Sequence, residues 1–476
     1  MIRGLFGLAV ALLCLLPVGS GVLLITRTWE ALTPLLRVAV GLFVGIASAM
    51  VLLPPLLYIG FSPSLPVVVL TGLAVLATGI AVRVRSSASR EGNVSLGALP
   101  GVVLGIPLVL LAVQAVDKPV DRYDGFSNWV LKAKLLLGGG LFSGALNHDA
   151  FGVASAAPPV SRQYPIGLPA IYAYVLRSIG DANVRIGHLF FVVFLATFAL
   201  TLWALLRPHV PSPILLAGLS YVLWMPALRV QSLSDYADVP MSCLLVAAVM
   251  AVGLWAAGGH AGWLGLGAVF AAAALATKRD AIPFCVVVAA VAAAAVLRQP
   301  RRLAALGGAA VCVALTTVPW QLYVATHGLT NRDIAFSLTR TADHLSAVPF
   351  VMHDLVSFAK DPIYLAAVPL ALFAAIIALR HERERRLAAG FIVLSLGTVA
   401  ALGFVYLNSI ADLNYLLRSS GHRTFMTPAL IAAAALPLLV SRALAPNGLH
   451  LTRQVPPSAP SRRSSSPRPR RLARPN

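Results

Sequence analysis

Charge is what this chain has least of. Only 11% of its 476 residues are Asp, Glu, Lys or Arg, against roughly 25% in soluble domains, so no large water-solvated domain fits. Acids are scarcest, 17 against 37 Lys and Arg, giving a formal net charge of +20. The four cysteines, Cys14, Cys243, Cys285 and Cys312, all fall inside apolar runs. None has metal-ligand spacing, and they read as small buried apolar residues. The chain also has no P-loop, GxSxG elbow, CxxC pair or HExxH helix, and no internal repeat or heptad. The Gly-rich run at 138–140 precedes no strand pattern and reads as a loop.

What is there is apolar. Hydrophobic residues make up 58% of the sequence and the mean hydropathy is +0.84. Runs of about 20 apolar residues, the length that crosses a hydrocarbon core, recur near 4–25, 38–59, 65–82, 97–116, 183–205, 213–229, 237–257, 262–276, 282–297, 303–324, 362–380, 387–407 and 425–441. The expected fold is all-α, a polytopic transmembrane bundle of about thirteen spans. No A-x-A cleavage site follows the apolar start and apolarity runs on to Ile25, so residues 1–20 read as part of a membrane helix, not a signal peptide.

The basic residues set the orientation. Arg83, Arg85 and Arg90 form one cluster; Arg298, Arg301 and Arg302 a second; Arg380, Arg383, Arg385 and Arg386 a third. Eight arginines from Arg442 onward form the fourth. With thirteen spans all four fall on one face, which is cytoplasmic by the positive-inside rule. That arrangement puts the N-terminus outside, in mild conflict with Arg3. The Pro/Ser/Arg tail is too polar to fold and suits anchoring at anionic lipid rather than nucleic-acid binding. Three units follow: accessory helices over 1–94, a membrane core over 95–445 and a disordered basic tail over 446–476. The segments 117–182, 325–361 and 408–424 then face outward.

The residues able to do chemistry gather in those outward segments. Asp121 and Asp124 stand just past a predicted helix end, where one carboxylate can take a proton from an acceptor hydroxyl; as surface polar residues they would need no such role. Trp129, Lys132 and Lys134 follow on a short helix expected to lie in the interface, its lysines snorkeling or binding a phosphate. Tyr164, Tyr172 and Tyr174 come next, more simply membrane-boundary anchors than a sugar-stacking face.

In SLSDYADVP, Asp235 and Asp238 either cap the helix that follows or contribute to a divalent-metal site. Lys278, Arg279 and Asp280 interrupt an apolar stretch where each charge would cost about 2.5–3.5 kcal/mol at mid-bilayer. They either pair with one another or meet a phosphate. Arg418, His422 and Arg423 open the last span; the arginines suit phosphate oxygens, and His422 alone reads as structural.

Ordered patches D-G-F-S-N-W-V-L-K-A-K (124–134), Q-Y-P-I-G-L-P (163–169), Y-A-D-V-P (236–240) and T-K-R-D-A (277–281), with a looser R-S-S-G-H-R-T-F (418–425), resemble bacterial GT-C glycosyltransferases. The nearest pattern is that of lipopolysaccharide-core galacturonosyl transferases, with protein O-mannosyltransferases and lipid A aminoarabinose transferases more distant. The resemblance covers about 97–440. It implies inverting transfer from a polyprenyl-phosphate sugar donor to a cell-envelope glycan, lipid or protein, at an extracytoplasmic site of the bacterial inner membrane roofed by the first long loop.

The base would be Asp124, with Asp121 the alternative. Trp129, Lys132, Lys134, Tyr164, Lys278, Arg279, Arg418, His422 and Arg423 would bind substrate. Gln163 departs from the family pattern, which has an acid before Tyr-Pro; Asp149 is the available substitute. No certain cofactor is implied, and a divalent metal stays open. The rival expectation is a transporter or flippase of a lipid-linked sugar or amphiphile, a class that also uses broken helices and intramembrane charge.

Overall fold

The computed structural model describes residues 1–84, 94–118, 125–139, 163–180, 184–328, 337–409 and 412–444. Among them the chain is helical, with no strand and a single bridge between Leu32 and Val94. The helices used below are α1 (Ile2–Ile25), α2 (Pro34–Tyr58), α3 (Leu65–Val84), α4 (Ala98–Asp117), α5 (Leu131–Gly139), α6 (Gly167–Ile179), α7 (Val184–Leu206), α8 (Ser212–Trp224), α9 (Pro226–Ser232), α10 (Asp238–Ala256), α11 (Ala261–Thr277), α12 (Ala281–Val296), α13 (Pro300–Leu315), α14 (Val318–Thr326), α15 (Val348–Lys360), α16 (Ala367–Ala378), α17 (Arg385–Leu407) and α18 (Met426–Ala443). A helix satisfies its own backbone N–H and C=O groups, the condition for apolar chain to sit in lipid.

This is a multi-pass membrane protein. Among the described residues nine helices are long and apolar enough to cross a bilayer, or ten with α8 and α9, bent by 53°, counted together. A count of thirteen is not shown. Three of the expected windows hold α11, α12 and α16, of 17, 16 and 12 residues. The charges at 278–280 part α11 from α12. The window expected at 362–380 loses its first turn to Leu365 and Ala366, which both take left-handed φ values of 52° and 55°. A non-glycine residue there costs about 1–2 kcal/mol. The Tyr221 hydroxyl, donating to the Leu365 carbonyl, helps hold this corner.

Residues 1–84 share the core of the remaining helices. Phe43 of α2 stands 5.1 and 5.9 Å from Phe194 and Phe198 of α7 and 5.3 Å from Phe270 of α11, spacings that suit tilted aromatic pairs. Tyr174 of α6 donates to Ala11 of α1 at 3.0 Å. Tyr172 and Tyr174 are therefore core residues rather than the boundary anchors expected, because α6 enters the bundle with nearly its whole circumference buried.

The connections sort into two ends. At one, Arg83 pairs with Glu30, Trp203 donates to Ser95 at 3.1 Å, and Arg302 donates to the Trp255 and Gly259 carbonyls at 2.9 Å. Arg442 meets Glu384 at 3.3 Å at the same end. At the other, Arg177 reaches Ser62 and the Leu137 carbonyl, Trp320 donates to the Gln163 carbonyl, and Arg340 donates to Asn408. Every expected site residue that is described belongs to this second end.

Candidate functional site

Asp121, Asp124 and Asp149 lie outside the described residues. The segment directly after Asp124 is described, however, and it is fixed by a close approach. A Cβ on Gly125 would fall 2.0 Å from the Ser234 carbonyl oxygen and 3.5 Å from the Asp235 Cβ. Only glycine lets the π-helical turn Gly125–Val130 press on the 234–238 turn this closely.

That turn carries two acids with separate partners. Asp235 adopts φ 53°, and its Oδ2 lies 2.8 Å from His188 Nε2. The other ring nitrogen faces the Ala115 carbonyl at 3.1 Å. Both ring nitrogens thus face oxygen atoms. Among the described residues Asp235 Oδ1 is buried without a hydrogen-bond partner.

Asp238 begins α10 but makes no side-chain cap there. Its Oδ1 instead accepts from Lys278 Nζ at 2.8 Å, and its Oδ2 is 4.0 Å from Arg423 Nε. Asp238 stands in the first turn of α10, where an acid complements the helix dipole, and the ion pair with Lys278 is added to that. Among the described residues there is no group of three or more His, Cys, Asp or Glu that could hold a metal.

Lys278 is doubly engaged, with Asp280 Oδ2 also at 2.8 Å. Burial works against its charge, but the carboxylates of Asp238 and Asp280 outweigh burial and keep the ammonium above its ordinary range. The internal pairing weighed for this charge break is therefore realised, and it extends across the bundle to Asp238. Arg423 lies over the Tyr236 ring at 4.4 Å and keeps 19% of its side chain exposed. Two cations and two carboxylates thus neutralise one another at the end of the bundle.

Lys132 differs from the expectation. It does not snorkel to an interface; it is 0% exposed. Its Nζ lies 5.9 Å from the Trp129 and Tyr164 rings and donates to the Tyr164 carbonyl at 3.3 Å. The two rings stack at 5.5 Å. Burial lowers Lys132 from 10.5 to about 7. The short helix expected in the interface is packed inward because α6 covers it, with Val130, Ala133 and Leu136 buried. Lys134 is half-buried beside it.

The remaining candidates lie farther out. His422 Nδ1 meets Asp361 at 3.3 Å, its side chain half exposed, and its carbonyl accepts from the Tyr364 hydroxyl. Arg418 is exposed on the π-helical turn Leu417–Gly421. Arg279 turns away from Lys278 toward a groove bounded by α2, Pro165 and α14.

Sequence reasoning missed His188, Tyr236 and Asp361. For His188 a signal existed, since an ionisable residue within an apolar span is a site hypothesis by default; Tyr236 opens the Y-A-D-V-P patch but received no role, and Asp361 carried no signal. No family model matches the sequence, and no curated protein or solved structure matches it either. The likeness to GT-C enzymes rests on the five sequence patches alone.

Proposed function

We propose that the protein is an inverting membrane glycosyltransferase that moves a sugar from a polyprenyl-phosphate donor to a cell-envelope acceptor. One observation carries the reading. Five separated segments, 125–134, 163–164, 235–238, 278–280 and 422–423, bring acids, cations and aromatic rings to one end of an apolar bundle, while the Arg-rich loops occupy the other. The positive-inside rule supports a cytoplasmic Arg-rich end and, in this reading, a site on the extracytoplasmic face of a bacterial inner membrane. A donor with its chain in lipid and its sugar in water needs such a boundary.

In this reading the acceptor hydroxyl oxygen forms a bond to the anomeric carbon as the bond to the phosphate oxygen breaks. The hydroxyl proton passes to Asp124, and the departing polyprenyl phosphate keeps the electron pair. The close seat of Gly125 against Ser234 supports Asp124 as base, since it ties the next residue in sequence to the acid-bearing turn. Lys278, Arg279 and Arg423 are the cations available to the leaving phosphate, and electrostatic preorganisation of that kind supplies much of an enzyme's rate.

Purified protein supplied with radiolabelled polyprenyl-phosphate sugars and envelope extracts tests the proposal. Transfer is expected, with a loss of at least about a hundredfold in Asp124→Asn, the scale of a general-base contribution. Full activity in that variant removes the assigned base. The 53° break between α8 and α9, directly before the strained Asp235, favours a second reading as a transporter of lipid-linked sugar. Movement of intact donor across sealed vesicles with no transferred sugar would select that alternative.

A further inference from the structure

His188 stands near the start of α7 and is wholly buried. Its surroundings are aromatic. The Tyr172 ring packs on Phe190 and Phe191 with centroids 6.2 and 5.5 Å away, and a Cβ on Gly187 would fall 2.6 Å from the Tyr172 hydroxyl. An imidazole buried among such neighbours is costly unless its nitrogens are met. A packing role alone would be better served by Phe or Leu.

Three chain segments converge on this ring. Ala115 lies in the last turn of α4, where carbonyls have no amide four residues on within the helix, and His188 Nδ1 meets its oxygen at 3.1 Å. On the other side Nε2 meets Asp235 Oδ2 at 2.8 Å, the only hydrogen bond of that carboxylate among the described residues. Asp235 holds the left-handed corner of its turn, and Gly125 is pressed against the Ser234 carbonyl of the same corner. The chain between Lys118 and Gly125 carries Asp121 and Asp124. His188 thus joins the described residues on both sides of that segment, one directly and one through the Asp235 turn. The turn then runs on to Asp238, which holds Lys278.

We infer that His188 is a positioning residue. Its two nitrogens clamp the end of α4 to the Asp235 turn, and so fix the two points between which the chain carries Asp121 and Asp124. The consequence for rate rests on the transferase reading: with those points fixed, the assigned base keeps one spacing from the cations around Asp238. A shift of about 1 Å in such a spacing can cost about a hundredfold. An imidazole suits the task, because it offers two hydrogen-bonding atoms in one planar ring with no rotatable bond between them.

Hydrogen exchange on the full chain in detergent, read by mass spectrometry, tests the clamp without any assay of activity. His188→Phe fills the site with a ring that has no nitrogen. Amide exchange in 112–118 and 125–130 is expected to quicken about tenfold, the scale of a buried hydrogen bond lost, with α12 and α17 unchanged. His188→Asn and His188→Gln separate the two arms. The Asn amide reaches where Nδ1 stands and the Gln amide where Nε2 stands. Asn should therefore protect 112–118 and release 125–130, and Gln should do the reverse. In transfer assays His188→Phe should lower kcat about a hundredfold and change the donor KM by less than about threefold, as befits a side chain that touches no substrate. Asn and Gln should each restore part of the rate.

Unchanged exchange in both segments overturns the clamp. Exchange that quickens throughout the bundle makes His188 a packing residue only, and full kcat in a variant with both segments loosened removes its positioning role. Should His188→Phe fail to fold, the Asn and Gln variants still decide, since identical exchange patterns in the two would mean that the ring has no separate arms. A wild type that transfers no sugar sinks the transferase reading, and the exchange pattern then judges the clamp by itself.

Discussion

The two ends of the bundle use their charges in opposite ways. At the Arg-rich end, ion pairs are partly open to solvent: Arg83 with Glu30 and Arg442 with Glu384, the latter 35% and 22% exposed. Arg302 there donates to the Trp255 and Ala256 carbonyls that end α10, where a cation complements the helix dipole. At the other end, Asp235 with His188 and Asp238 with Lys278 are buried. Exposed pairs can lose a partner and let water replace it; buried pairs cannot. The first end keeps its ion pairs within reach of water, and the second holds charge where it is expensive.

Removing one member of the buried cluster should therefore give the largest effect. Asp238→Asn leaves Lys278 and Arg423 short of a carboxylate and is expected to destabilise the protein by about 3–5 kcal/mol, read as a fall in thermal midpoint in detergent. Adding Lys278→Met should recover part of that loss, because the stranded ammonium goes with it. A double variant as unstable as the sum of the two singles would mean that the pair does not couple, and the contrast between the ends would weaken.

Lys132 tests the same contrast through pH. The unfolded chain keeps the lysine proton up to about 10.5, while burial makes the folded protein release it above about 7. Between those values the unfolded state binds more protons, so stability rises with pH across the window. Below about 7 the cost of a buried charge is present in full. Lys132→Met should flatten the rise and stabilise the protein on the acid side, by up to a few kcal/mol. Thermal midpoints across that pH range check it; an unchanged slope in the variant would assign the effect elsewhere.

How much of this was legible beforehand depends on range. The apolar windows found the long helices because hydrophobicity is a local property, and the described members Arg83, Arg302 and Arg442 of the basic clusters share one end for the same reason. The K-R-D interruption at 278–280 was legible as a charge break, but its cross-bundle partner was not. Asp238 is 40 residues away, and no spacing rule links the two. Lys132 misled for a related reason: its sequence reads as an amphipathic interfacial helix, and only α6, arriving from 167–179, covers it. Tyr172 and Tyr174 failed in the same way. The shortened α16 was illegible because left-handed Leu365 and Ala366 have no compositional mark.

The proposed site also has a steric test of intermediate size. Gly125→Ala puts a methyl 2.0 Å from a backbone oxygen that belongs to no flexible side chain, so one of the two turns must move. Overpacking of this kind costs about 1–3 kcal/mol, but the effect on chemistry should be greater. A displacement of about 1 Å at a catalytic segment can cost about a hundredfold in rate. The expected signature is a kcat that falls far more than the thermal midpoint does. A variant that loses both in proportion would make Gly125 a packing residue only.

At the Arg-rich end the smallest response is expected, and that smallness is itself informative. Glu384→Gln breaks the contact with Arg442 while both side chains keep access to water, so stability should change by less than about 1 kcal/mol. Any residual change should vanish as salt is raised, because exposed pairs are screened within a Debye length of roughly 10 Å at 0.1 M. Asp238→Asn, buried, should keep most of its penalty in the same titration. If both variants respond to salt alike, the two ends share one electrostatic regime, and the claim that the acid cluster is held away from water fails.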